Sequence, residues 1–164
     1  MLTVRLSKLV MVAGLALFAL LVAADNVADY GSNEAFVRHV LAMDTTFPQN
    51  ALRWRAVTDP ALQTAAYLLI IAAEALTGVL FGAAALLMVA RLRAPKAEFR
   101  VAASWVAAGA AVAFALWFVG FMVVGGEWFL MWQSHTWNGQ EGAFRFYLTV
   151  LGVAVYALLD TEED

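Results

Sequence analysis

The chain has 164 residues, 63% of them hydrophobic and 14% charged, with a mean hydropathy of +0.76. A soluble domain of this size keeps most residues near water and has no interior large enough for so much apolar surface, so the composition points to an integral membrane protein. A net charge of −3, with no basic run interleaved with aromatics, argues against a nucleic-acid partner, and the lack of cysteine excludes disulfides, thiolate metal sites and cysteine nucleophiles.

Four apolar segments are expected to cross the membrane as helices, at about residues 5–24, 61–90, 101–124 and 143–160. A hydrocarbon core of about 30 Å needs about 20 helical residues, which the second and third segments meet easily. The first is apolar from Leu9 to Ala24 and lengthens toward Leu2 if Arg5 and Lys8 snorkel to the headgroups. The same stretch has the layout of a secretory leader, with a basic start and small residues at Val22-Ala23-Ala24. We read it as a retained signal-anchor helix.

The segment 25–60 is a long outer loop with a short amphipathic helix inside it. Asn33 is placed to cap that helix, Glu34 suits its positive end, and Phe36, Val37, Val40 and Leu41 share one face. Asp59-Pro60 then supplies a cap and a first-turn proline for the second span.

That span carries Glu74 about 13 residues from its start, roughly 20 Å along the axis and close to the midplane. An acid at such a depth costs about 2.5–3.5 kcal/mol on insertion scales, so it is expected to face protein or water rather than lipid. Thr77, Tyr67 and Thr149 are its candidate partners within the chain. Gly78 and Gly82 follow as a GxxxG pair, a face suited to close helix packing within the bundle.

Arg91, Arg93, Lys96 and Arg100 crowd the turn 91–100 and share a side with Arg5 and Lys8. The positive-inside rule makes that side cytoplasmic, with both termini and the acidic tail "DTEED" inside. The third span is rich in alanine and carries Phe114, Trp117, Phe118 and Phe121 at helical spacing, an aromatic stripe for packing or for lipid. The second outer loop, 125–142, holds Trp128, Trp132 and Trp137, residues that favour the headgroup zone. No sequence repeat relates the two halves, which argues against an inverted-repeat transporter.

The first outer loop and the start of the second span carry a resemblance. "NVADYGSNEAFVRHVLAMDTTFP" (Asn26–Pro48), then "WRAV" (Trp54–Val57), Tyr67 and Glu74, resemble a bacterial family of predicted small integral membrane proteins, a domain of unknown function. The resemblance implies a four-helix bacterial inner-membrane protein and no particular reaction.

The expected fold is therefore an all-α, four-transmembrane-helix bundle with a structured outer loop. No catalytic set is expected, since no serine has a base in recognisable relation to it. His39 and His135 lie in the outer loops without metal-ligand spacing, so no metal site and no cofactor are predicted, with a bound lipid or quinone as an option. Asp29, Tyr30, His39, Asp44, Arg53, Arg55 and His135 are candidates for an outer recognition surface, the two arginines pairing acids on this chain or a partner. Membrane lipids and other membrane-protein subunits are the expected partners.

Three functional readings follow. The first is a non-catalytic accessory or scaffold subunit of a larger respiratory or photosynthetic membrane complex. The second is a small proton- or ion-linked transporter using Glu74, which requires a path for water to that residue. The third is a redox or enzyme subunit working at the outer interface through His39 or His135, which requires those side chains to converge on one site.

Overall fold

In a bilayer every backbone N–H and C=O must be satisfied within the protein, so apolar runs of this length become helices. The computed structural model describes residues 2–160; the acidic tail beyond Asp160 lies outside the described residues. Five helices follow in order: α1 (Leu2–Ala28), α2 (Tyr30–Ala42), α3 (Pro60–Ala90), α4 (Lys96–Trp128) and α5 (Gln140–Leu158). All but α2 are long and apolar enough to cross a membrane, and no strand occurs among the described residues.

The helices run past the apolar segments. Polar Asp25 and Asn26 stay helical because nothing interrupts α1 until Asp29, whose φ of −109° and ψ of 54° leave the helical region. One non-helical residue thus separates α1 from α2. The short helix accordingly starts at Tyr30 instead of at an Asn33 cap; Asp29 occupies the cap position and accepts a bond from Ser32 Oγ at 3.0 Å. At α3 the cap is Asp59, whose Oδ1 accepts from the N–H groups of Ala61 and Leu62 ahead of Pro60.

Helices α1 and α3 pack antiparallel through small residues. A Cβ built on Gly78 would stand 2.6 Å from Leu20 Cγ and 3.0 Å from the Leu20 nitrogen, whereas one on Gly82 meets only Ala16 Cβ at 4.0 Å. Phe81, fully buried, uses the missing side chain of Gly109 on α4, where a Cβ would lie 2.8 Å from its ring. Alanines 16, 19, 84, 102, 103, 110 and 113 fill the rest of this core.

The last part of α4, Ala115–Trp128, widens into a π-helix. Such runs usually last one turn. Here small residues recur at intervals of five, Ala115, Gly120 and Gly125, and would-be Cβ atoms on the two glycines lie 3.7 and 3.5 Å from the carbonyl five residues back. The widening splits the expected aromatic stripe. Phe114 and Phe118 stack on each other and meet Tyr147 edge-on, while Trp117 turns inward to Phe18 and Phe146 and Phe121 reaches Phe36 on α2.

At the basic end of the bundle, Arg5 and Lys8 do not snorkel outward as expected. They are 6% and 5% exposed. Arg5 donates to the carbonyls of Leu92 and Ala94, just past the end of α3, and Lys8 donates to Leu159 O, just past α5. Main-chain carbonyls just beyond the helix C-termini, where the helix dipoles are negative, are what draw the two cations inward. Asp160 in turn bridges Lys96 and Arg100.

The two glycines of α3 separate packing from mere composition. Gly78→Ala should lower stability by about 1–3 kcal/mol through overpacking against Leu20. Gly82→Ala should be neutral or stabilising by up to about 1 kcal/mol through helix propensity. Reversible unfolding in detergent measures both, and equal effects would contradict the packing described.

Candidate functional site

Glu74 is 3% exposed, and its partner is not one of those expected. Asn26, in the last turn of α1, donates from Nδ2 to Glu74 Oε2 at 2.6 Å. The main-chain carbonyl of the same Asn26 accepts from Tyr67 OH at 2.7 Å. One residue of α1 thereby ties two turns of α3. Thr77 is fully buried but donates to Ala73 O in its own helix, and Thr149 donates to Arg145 O, so neither reaches the acid.

These contacts also correct the depth of Glu74. Counted along α3 alone it lies midway. Its neighbours, however, are the last turn of α1 and the first turn of α5, since Gly142 and Ala143 line the same cavity. Glu74 therefore sits at one end of the four-helix layer, directly beneath the cap formed by α2 and the loops.

That cavity has a volume of about 280 Å³. Its polar groups are Glu74, Asn26, Asn33 and Tyr67, and its other walls are largely aromatic. Tyr67 is 1% exposed and takes Tyr30 edge-on at 4.8 Å. Glu74 Oε1 and the Asn33 side chain make no hydrogen bond among the described residues, and both residues line the cavity. Next to it lies a second cavity of about 260 Å³ between α2, α3 and the π-helical segment, apolar throughout; Phe36, Val37, Ile70 and Phe121 line both.

The cap has a small core of its own. Met43, Phe129 and Leu130 are buried together, and Met43 and Leu130 both hold left-handed backbone, with φ of 51° and 55°. Left-handed conformation costs a non-glycine residue roughly 1–2 kcal/mol, so packing must hold these turns in place. Thr45 Oγ1 to Ser134 Oγ and Phe47 N–H to Gln133 Oε1 join the two loops, and Val57 N–H to Leu41 O ties the first loop back onto the end of α2.

The expected outer-surface residues are not gathered into one site. His39 Nδ1 lies 2.7 Å from Asp44 Oδ2 and its ring stacks on Trp137 at 4.6 Å. His135 is exposed, and among the described residues no group of three metal-ligating side chains occurs. Arg55 does not pair with an acid; it lies 4.5 Å over the Trp128 ring and 5.5 Å over Trp54, and donates to Trp128 O. Arg53 is exposed and has no ion pair among the described residues. Asn26 and Asn33 are the functional candidates that sequence reading did not connect to Glu74.

Four apolar helices under a folded cap define a multi-pass integral membrane protein. The chain belongs to the family described as predicted small integral membrane protein (DUF2165), whose profile matches residues 4–160. No curated protein matches the chain, and no solved structure does.

The latch on Glu74 is open to a double-mutant cycle. Asn26→Ala should cost about 1–3 kcal/mol by leaving a buried acid without its donor. In the double variant Asn26→Ala/Glu74→Ala the losses should fall short of additive by at least about 0.5 kcal/mol, as for side chains in contact. Additive losses in detergent unfolding would show that the two side chains do not interact.

Proposed function

We propose that this protein is a non-catalytic accessory subunit that docks onto a larger membrane protein through its cap. The observation that carries the reading is a rigid display of exposed aromatics. Trp54 meets Trp128 edge-on at 6.3 Å with Arg55 against both rings, and Phe47 meets Trp132 edge-on at 5.9 Å. Trp54 is 72% exposed. Tryptophan and arginine on a preorganised surface are the residue types that dominate binding energy at protein interfaces. The separate core of the cap and its left-handed turns keep these rings in place before any partner arrives, which lowers the ordering cost of association.

The positions of Arg5, Lys8, Arg91, Arg93, Lys96 and Arg100 support an orientation with the basic end in the cytoplasm and the cap outside. In a bacterial cell that membrane is the inner one, where respiratory and photosynthetic assemblies offer partners of the required kind. Proton- or ion-linked transport through Glu74 is a weaker reading: Asn26 holds the acid in place, and it lies at the end of the helix layer rather than at its middle.

Photo-crosslinking in native membranes tests the docking reading. Leu86, on the side of α3, is 72% exposed like Trp54 and serves as the matched lipid-facing control. A photoreactive residue replacing Trp54 should give one defined polypeptide adduct that the same residue at Leu86 does not give. Lipid adducts alone at both positions would show that the cap faces headgroups instead of a subunit.

A further inference from the structure

We infer that the cavity around Glu74 is a binding site for an organic ammonium ion carrying a hydrocarbon arm. The site is separate from the cap surface and does not depend on the docking reading. Its one charge-bearing group is a carboxyl, and no Lys, Arg or His lines it, so an anionic ligand finds no partner there. Phe36, Tyr67, Trp117, Phe121 and Phe146 supply the walls. Aromatic faces around a single acid are the combination that recognises alkylated ammonium groups, through cation–π attraction and a direct charge contact.

The hydrogen bonds within the site decide what it lacks. Asn26 Nδ2 is committed to Glu74 Oε2 and Tyr67 OH to the Asn26 carbonyl. The second carboxyl oxygen of Glu74 makes no hydrogen bond among the described residues, and Asn33 of α2 lines the same cavity. A ligand that brings donors or positive charge pairs with the acid; a quinone, which brings only acceptors, leaves the acid unpaired and finds a donor only at the Asn33 amide. A bare divalent metal ion fits poorly, because calcium or magnesium needs about six oxygen ligands and the walls here are rings.

The neighbouring apolar cavity gives the ligand its second property. Phe36, Val37, Ile70 and Phe121 border both spaces, so a hydrocarbon substituent on the nitrogen reaches the second by displacing the stacked rings of Phe36 and Phe121, 6.3 Å apart between centroids. Together the two volumes reach the range of about 300–1,000 Å³ typical of small-molecule sites. The head is held by charge and rings, and the arm by apolar contact.

The test uses the full chain in a non-ionic detergent, with tritiated benzyltrimethylammonium and its dodecyl homologue, benzyldimethyldodecylammonium, as probes in equilibrium binding. Both should bind saturably at one site, the long homologue more tightly. Glu74→Gln keeps an acceptor for Asn26, so it should leave the unfolding midpoint in place and weaken binding roughly ten- to hundredfold, the value of a hydrogen bond to a charged group. Gly142→Leu provides a second variant: Gly142 lines the cavity and a Cβ there meets nothing within 4 Å, so a leucine blocks the space without strain and should abolish binding of both probes. Equal competition by dodecanol or dodecyl sulfate, or undiminished binding by both folded variants, would overturn the proposal.

Discussion

The packing of α1 against α3 is the constraint on which the rest of the molecule depends, and it is secured at three heights. Arg5 bonds the carbonyls that follow α3 at the basic end, Leu20 fills the notch at Gly78 one turn below Glu74, and Asn26 holds Glu74 and Tyr67 beneath the cap. Lipid tails are as apolar as leucine, so helix association in a bilayer relies on close packing and on hydrogen bonds between helices. The upper and lower contacts are of the second kind and the middle one is of the first. Each uses a residue that is costly elsewhere: a buried guanidinium, a glycine within a helix, and a carboxamide facing an acid.

The same pairing positions everything above it. Since α1 passes into α2 with only Asp29 between them, fixing the end of α1 fixes where α2 lies across α3 and the π-helical segment. The aromatic cavity, the apolar cavity beside it and the cap core are all spaces that α2 closes. Widening of α4 after Phe114 completes the arrangement by turning Trp117 toward α1 and α5 and Phe121 toward α2, which a regular helix carrying the same four aromatics on one face could not do.

Much of this is legible in the sequence, for definable reasons. Hydropathy marks the four spans because a bilayer demands long apolar runs, and Asp59-Pro60 marks the start of α3 because capping is a local matter of a few adjacent atoms. The partner of Glu74 is not legible. Asn26 stands 48 residues away and follows the aspartate that ends the apolar run, so it reads as loop until the helix is seen to continue. Arg5 and Lys8 read as snorkelling residues because the carbonyls that draw them inward follow α3 and α5, far along the chain. Arg55 reads as an acid's partner because charge is visible in a sequence, whereas the faces of Trp54 and Trp128 come together only in the fold. The split of the aromatic stripe is not legible either, because spacing read at a period of 3.6 puts all four rings on one face and the backbone there takes a wider one.

The length of α3 also bears on how the protein enters the membrane. At 31 residues it exceeds by about ten what a bilayer needs, so a segment of about 20 residues can be threaded in more than one register. With the stretch from Ile71 to Ala90 in the hydrocarbon, the carboxyl of Glu74 rests within one turn of the boundary, where the insertion cost of an acid is far smaller than at the centre of a span. Asn26 acts as a register stop: of the vertical settings open to α3, the structure holds the one in which its carboxyl meets an amide and not lipid.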